Sequence, residues 1–207
     1  MIDPLWIDEL ARLAKLGLDD DGMFVERDAP MSITVRSSLA RHPRMTVCSK
    51  RVAFDALIAL DADTTGPILR IPALVGDERA VVVCQLARLW GVERVFYLGD
   101  PDPVDAVCFA ALSSLLRREA GVREATWLSH SGLSELEIER NRRMCEIGLC
   151  AIEREIVARW TDPALIELSD GPLATELARW KTRAMKVELE GLKHLADPRP
   201  SLRAQLT

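Results

Sequence analysis

The strongest constraint on the fold is the stretch from Val95 to Pro103, in which an apolar run of strand length ends at Gly99. Two aspartates follow, each directly before a proline. Prolines cannot donate hydrogen bonds to a sheet, so the strand must end here. The next ten residues, Pro103 to Leu112, predict a helix with proline in its first turn. Asp100 and Asp102 are therefore expected on the loop at the carboxyl end of a strand, where ligands bind in open α/β sheets.

These two aspartates have two interpretations. Two carboxylates at a strand end suit an oxygen-seeking cation such as Mg²⁺. Aspartate and proline also favour turns, and aspartate favours helix N-caps, so the same residues can serve the backbone alone. The spacing by itself leaves both interpretations open.

Composition limits the class of protein. A chain of 207 residues with 48% hydrophobic and 29% charged residues predicts one packed domain, or one domain with an extension. The five cysteines form no C-x-x-C pair, which indicates reduced core residues of a cytoplasmic protein. The three histidines are scattered, so a zinc site is not expected. No secretory leader and no membrane-spanning run is expected, and hence no membrane partner.

Strand and helix patterns alternate from residue 45 onward, which predicts an α/β fold with a mainly parallel sheet flanked by helices. The predicted division is an N-terminal helix (Pro4 to Leu18) and lead-in strand over 1–44, an α/β core over 45–130 and a helical extension over 131–207. The predicted strands are Met31–Val35, Met45–Cys48, Ile68–Ile71, Glu93–Leu98 and Val122–Leu128, and the helices between them are Val52–Leu60, Glu78–Trp90 and Pro103–Arg118.

The last third predicts a pair of long helices. A capping box at Ser134–Glu137 begins the first, whose apolar side includes Ile147 and Trp160. The second runs from about Pro172 to Leu195. Both can pack on the sheet edge, or they can contact another chain, as in a homodimer.

The interval from Ala29 to Phe54 has no acidic residue, although the net charge of the chain is −5. This local bias indicates a phosphate-facing patch for nucleic acid. An ordinary solvated basic loop is the alternative. The candidate nucleic-acid-binding residues are Arg36, Arg41, Arg44, Lys50 and Arg51.

Three segments resemble the Toprim domain, the Mg²⁺-binding α/β fold of topoisomerases, primases and nucleases. The likeness is to the topoisomerase VI A subunit and its relative, the meiotic double-strand-break protein, and also to the Wadjet-type plasmid-defence nucleases. Val47–Phe54 resembles a strand-end segment written V-V-E-K-E-A-V-F, Phe96–Pro103 resembles the D-x-D-P metal motif, and Lys186–Leu192 resembles K-A-E-I-E-A-L. The segments occur in the family's order, over roughly residues 45 to 195.

The resemblance implies a Mg²⁺ site at Asp100 and Asp102. Asp105, about one helical turn later, is a further candidate for a metal contact through water. Ser49 stands where the family has a glutamate that faces the aspartate pair, and a serine hydroxyl supplies neither negative charge nor a proton acceptor. Glu188 or Glu190 is a candidate replacement. The candidate catalytic residues are therefore Ser49, Lys50 and Glu188.

Other departures from the family affect the expected activity. Asp105 stands where the family usually has glycine, and the family's glycine-rich loop is not recognisable around Ala73–Gly76. The winged-helix domain with its nucleophilic tyrosine is not recognised, and the single tyrosine, Tyr97, lies inside a predicted strand. Strand passage through a phosphotyrosine is therefore not expected of this chain alone.

The sequence leaves several functions open. The first is a catalytically weakened, topoisomerase VI-like or nuclease-like Toprim module in DNA processing, with DNA and a separate winged-helix or ATPase subunit as partners. The second is an active Mg²⁺-dependent phosphodiester-cleaving enzyme, or its metal-binding subunit. The third is a module that only binds other proteins, and the last is an unrelated sheet protein with a chance D-x-D-P.

Overall fold

A computed structural model of the chain describes residues 23–24, 34–36, 42–60, 65–71, 77–128, 146–160, 173–187, 203–204 and 206. The strands in this part are β1 (Met23–Phe24), β2 (Thr34–Arg36), β3 (Arg44–Cys48), β4 (Ile68–Arg70), β5 (Arg94–Leu98), β6 (Glu124–Trp127), β7 (Glu146–Gly148) and β8 (Met185–Val187). The helices are α1 (Arg51–Ile58), α2 (Asp77–Trp90), α3 (Pro103–Leu115), α4 (Ala151–Ala158) and α5 (Ala174–Arg183), and a π-helical segment (Leu116–Ala120) directly follows α3.

The main sheet has six strands in the order β1-β2-β4-β3-β5-β6. The four strands β4, β3, β5 and β6 are parallel, whereas β2 is antiparallel to β4 and β1 is antiparallel to β2. Val47 in the centre of β3 lies opposite Leu69 on one side and Tyr97 on the other. The structure thus confirms the predicted α/β fold with a mainly parallel sheet.

Helices cover both faces of the sheet because its central strands are apolar on both sides, as expected for buried parallel strands. Val95 and Tyr97 of β5 pack into the core on the α2 and α3 side, together with Phe109 of α3. Phe96 and Leu98 point to the opposite face, into the cluster that α1 covers. The side chains alternate along the strand because successive residues face opposite sides of a sheet.

Residues of the C-terminal third belong to the same core as the sheet. Trp160 and Trp180 are buried in the cluster that contains Tyr97, and their ring centroids are 5.7 Å apart. Contacts within this chain therefore bury both tryptophans. The homodimer stays a prediction.

The pair of long C-terminal helices is not confirmed. Glu146–Gly148 is a strand where the first helix was expected, and it pairs in antiparallel fashion with Met185–Val187, a strand inside the second expected helix. In the structure α5 ends at Arg183, and the next residue, Ala184, has a left-handed φ of 52°. Each expected helix thus contains one strand of a small two-stranded antiparallel sheet, which joins residues distant in sequence.

Several of the segments discussed above lie outside the described residues, among them the helix expected from Pro4 to Leu18, the capping box at Ser134–Glu137 and the segment Ala73–Gly76, around which the family's glycine-rich loop was not recognised. Within the described chain, Cys48, Cys84 and Cys108 are buried free thiols, as expected, whereas Cys150 is exposed. None of the described helices has the length and apolar character needed to cross a membrane.

Candidate functional site

The candidate site lies where the strand order of the parallel sheet changes direction. From β3 the chain passes through α1 to β4 on one side, and β5 lies on the other side of β3. Since α1 and α3 cover opposite faces of the sheet, the carboxyl ends of β3 and β5 form a topological switch point. Ligands of open α/β sheets bind at this kind of topological switch point. Ser49 and Lys50 follow β3 here, and Asp100 follows β5.

Asp105 accepts hydrogen bonds from residues at the ends of both strands. Its Oδ2 accepts hydrogen bonds from the Ser49 hydroxyl at 2.9 Å and from the Asp100 amide at 2.6 Å. Its Oδ1 accepts one from the Tyr97 hydroxyl at 3.0 Å. Both carboxylate oxygens of Asp105 are thus engaged by groups of the chain. Asp105 thus holds the two strand ends together, a role that the sequence did not predict, and the metal contact expected for it stays a prediction.

Gly99 allows Asp105 to approach the strand end so closely. A Cβ atom at this position would lie 2.6 Å from Cε1 of Tyr97 and 3.0 Å from Cγ of Asp105. Both neighbours are buried, and the Tyr97 ring packs against Phe109 and Trp127, which also contact each other. A side chain at Gly99 therefore has to displace either the aromatic cluster or the carboxylate of Asp105.

Asp102 caps helix α3. Its Oδ1 accepts a hydrogen bond of 2.7 Å from the Asp105 amide, and Pro103 follows in the first turn. The capping interpretation of the D-x-D-P motif is therefore correct for Asp102. Capping uses only one of its two oxygens, and Oδ2 faces the rest of the site.

Two lysines bring positive charge to these carboxylates. Nζ of Lys50 lies 2.7 Å from Oδ2 of the fully buried Asp100. Nζ of Lys186, on β8, lies 3.3 Å from Oδ2 of Asp102 and 2.7 Å from Oε1 of Glu153 on α4. Glu153 also accepts a hydrogen bond of 2.7 Å from the Cys150 amide. The site therefore combines four buried carboxyl groups with two ammonium groups.

Burial and crowding shift the proton affinities of the site. Burial, together with the nearby charge of Asp102, raises the pKa of Asp105 from 3.8 to about 6, against the opposing effect of its hydrogen bonds. Burial also raises the pKa of Asp102. Burial acts in the same sense on Glu153, but its hydrogen bonds with Lys186 and the Cys150 amide outweigh it and lower the pKa. The pKa of Tyr97 is raised well above 10 by burial and by Asp105, so its hydroxyl remains a donor.

The donor set fits an oxygen-seeking divalent cation. Asp100, Asp102 and Asp105 each offer a carboxylate oxygen, and these oxygens lie within 4.8 Å of one another. Mg²⁺ and Ca²⁺ hold ligand oxygens roughly 2.0–2.6 Å away, so oxygens on opposite sides of an ion lie roughly 4–5 Å apart. The buried aspartate cluster could therefore hold a metal ion, provided that the lysines on Asp100 and Asp102 move.

The four basic candidates that the structure describes, Arg36, Arg44, Lys50 and Arg51, do not form one patch. Arg36 and Arg44 lie at the amino ends of the parallel strands, with Arg36 opposite Ile68, the first residue of β4. Lys50 and Arg51 follow the carboxyl end of β3, and Arg51 pairs with Asp55 at 2.9 Å. Arg44 donates a hydrogen bond of 2.8 Å to the carbonyl oxygen of Leu206.

Three candidate residues, Arg41, Glu188 and Glu190, lie outside the described part of the chain. Sequence reasoning assigned no role at the site to Lys186 or Glu153. The only signal for Lys186 was its place in the third Toprim-like segment, and Glu153 had none, because both approach the aspartates through the unexpected pairing of β7 with β8.

Comparison with protein-family models, with curated proteins and with solved structures finds no match for this chain.

Proposed function

We propose that this chain is a Toprim-like module of DNA processing whose divalent-cation site is weakened. The supporting observation is the position of Ser49, Asp100 and Asp102 together at the switch point of a parallel sheet, with Ser49 hydrogen-bonded to Asp105. This is the arrangement that the resemblance requires, since the family's glutamate and D-x-D pair face each other across neighbouring strand ends.

Ser49 and Lys50 supply the physical reason for the weakening. A neutral hydroxyl replaces a full negative charge, and the Ser49 proton is directed at Asp105. The ammonium group of Lys50 lies 2.7 Å from Asp100, where it competes with a metal ion for the same carboxylate. A cation entering this site would meet fewer negative charges and would have to displace a positive one.

The alternative function is an active Mg²⁺-dependent phosphodiester-cleaving enzyme, or the metal-binding subunit of one. The spacing of the aspartate oxygens, within 4.8 Å of one another, favours it. In that case the metal would be held by Asp100 and Asp102, and it would polarise a phosphate oxygen. DNA is the proposed partner in both cases, with Lys50 and Arg51 the basic residues at the same rim as the aspartates.

Restoring the missing carboxylate tests the proposal. A carboxylate about 4 Å from a divalent cation contributes about 2 kcal/mol even at the dielectric of water, or about thirtyfold in affinity. Ser49→Glu should therefore tighten Mg²⁺ binding at least to this extent in calorimetric titrations. Without the cation the same change should lower the melting temperature, because the new charge would lie beside Asp105.

Ser114→Glu is the matched control, since it adds the same charge at an exposed position near the far end of α3. It should leave Mg²⁺ affinity unchanged, and Asp100→Asn should abolish the gain made by Ser49→Glu. Unchanged affinity in Ser49→Glu would show that Ser49 does not face the metal ligands. Efficient plasmid cleavage by the unaltered protein, lost in Asp100→Asn, would establish the alternative function.

A further inference from the structure

Lys186 connects the candidate site to the C-terminal part of the chain. It lies on β8, and its ammonium group bridges Asp102 at the start of α3 and Glu153 on α4. The side chains of all three residues are at most 10% exposed. A buried ion pair of this kind depends on every charge having its partner, because an uncompensated buried charge is strongly destabilising.

Asp102 has limited capacity for further partners. Its Oδ1 accepts the hydrogen bond from the Asp105 amide that caps α3, and its Oδ2 lies 3.3 Å from Nζ of Lys186. A metal ion that used Oδ2 would lie within a few ångströms of the ammonium group. Like charges at such a separation repel strongly in a buried site, where little water screens them.

We propose that Lys186 and a divalent cation exclude each other at Asp102, so that Lys186 is the residue that keeps this carboxylate in its cation-free state. The inference rests on the cation site of the proposed function, and it concerns a different residue from the Ser49 position discussed above. Its consequence is mechanical as well as electrostatic. When a cation binds, the contact between β8 and the start of α3 is broken, whereas the pair of Lys186 with Glu153 can persist within the C-terminal part.

The first test measures Mn²⁺ binding in the absence of DNA, by titration with detection of free Mn²⁺ by electron paramagnetic resonance. Removing the opposing charge in Lys186→Met should tighten Mn²⁺ binding about tenfold or more. Lys181→Met is the matched control, because it removes the same charge from an exposed position on α5. It should bind Mn²⁺ as the unaltered protein does. Asp102→Asn, added to Lys186→Met, should remove the gain.

Lys186→Gln keeps a donor for Glu153 while it removes the charge, so it serves as the second variant if Lys186→Met melts at a much lower temperature. The proposal is overturned if the folded charge-removing variant binds Mn²⁺ within about twofold of the control. It is equally overturned if that variant binds no Mn²⁺, since Lys186 would then not be what keeps the cation out.

The second test follows hydrogen exchange of the paired strands β7 and β8. Saturating Mn²⁺ should accelerate amide exchange at Met185–Val187 in the unaltered protein and leave it unchanged in Lys186→Gln. Equal exchange with and without Mn²⁺ in the unaltered protein would contradict the mechanical consequence. Because no nucleic acid is used, a protein that meets these expectations but does not bind DNA would refute the proposed function and leave this inference in place.

Discussion

The raised pKa of Asp105 predicts that the folded protein loses stability as the pH rises from about 4 to about 6. The native carboxyl group titrates near pH 6, because it is buried and lies beside Asp102, whereas its ordinary value is 3.8. Between these two values the folded chain keeps a proton that the unfolded chain has released. Stability falls with pH wherever the native state binds more protons, so this contribution is present below pH 4 and is lost as the pH passes 6.

The size of this effect follows from the shift. A difference of about 2 pH units at about 1.4 kcal/mol per unit gives about 3 kcal/mol of stability lost between pH 4 and pH 7. The raised pKa of Asp102 acts in the same direction. The free energy of unfolding of a typical domain is only about 5–15 kcal/mol, so a loss of this size is a substantial part of it.

Urea denaturation from pH 4 to pH 7.5 measures the effect, with Asp105→Asn as the variant that cannot titrate. Subtracting its unfolding free energies from those of the unaltered protein removes most contributions of other groups. As the pH rises, the unfolding free energy of the unaltered protein should fall by about 3 kcal/mol relative to that of Asp105→Asn. Asp55→Asn is the control, because it removes an exposed carboxylate from a surface pair with Arg51 and should change stability by less than about 1 kcal/mol.

A flat difference curve would refute this reasoning, since it would mean that Asp105 has the same proton affinity in the folded and unfolded chains. The unfolding free energy of the unaltered protein could instead rise with pH relative to that of Asp105→Asn. That result would mean that the hydrogen bonds from Ser49, Tyr97 and the Asp100 amide lower the pKa of Asp105 by more than burial raises it.

Two further predictions concern the groups that hold Asp105 in place. Tyr97→Phe removes a buried hydroxyl that donates a hydrogen bond to this carboxylate. It should lower the unfolding free energy, measured with denaturant at pH 7.5, by about 1.5–3 kcal/mol. Little or no loss of stability would contradict the contact. Gly99→Ala should lower the unfolding free energy by about 1–3 kcal/mol, because its Cβ would lie 2.6 Å from the Tyr97 ring. Gly148→Ala is the control, since its Cβ meets open space and the change should be nearly neutral. Equal stabilities of the two alanine variants would be inconsistent with the close approach at Gly99.

The α/β core could be predicted from the sequence because its elements have strong local signals. The strand that ends at Gly99 is apolar throughout, and two prolines and a helix follow it. The predicted strand Glu93–Leu98 differs from the observed Arg94–Leu98 by one residue. Its pairing with β3 in the centre of the sheet is a consequence of the parallel α/β pattern, in which buried strands form the middle of the sheet.

The C-terminal third could not be predicted because its structure depends on contacts between distant residues. Residues 146–148 and 185–187 lie in segments whose apolar spacing predicts helices. In the structure they pair with each other across about 40 residues of sequence. Tertiary pairing overrides helix propensity in such cases. The sequence did not predict the end of α5 either, because alanine and not glycine, at Ala184, adopts the left-handed conformation there.

The residues of the candidate site show the same difference between local motifs, which could be predicted, and contacts between distant residues, which could not. Asp100 and Asp102 could be located because both lie within one local motif. Ser49 was expected to face Asp100 and Asp102, from the strand order and the Toprim resemblance, but its hydrogen bond of 2.9 Å to Asp105 was not predicted. Lys186 could not be located, because its approach to Asp102 requires the β7–β8 pairing.

The most direct test of a weakened Toprim-like cation site is anomalous X-ray diffraction from crystals equilibrated with Mn²⁺ over a range of concentrations. We expect a manganese peak within roughly 2.0–2.6 Å of carboxylate oxygens of Asp100 and Asp102, only at high Mn²⁺ concentration and with Lys50 and Lys186 withdrawn from these oxygens. A peak elsewhere in the protein, or crystals saturated with Mn²⁺ in which both lysines still pair with the aspartates and no ion lies between them, would contradict the account.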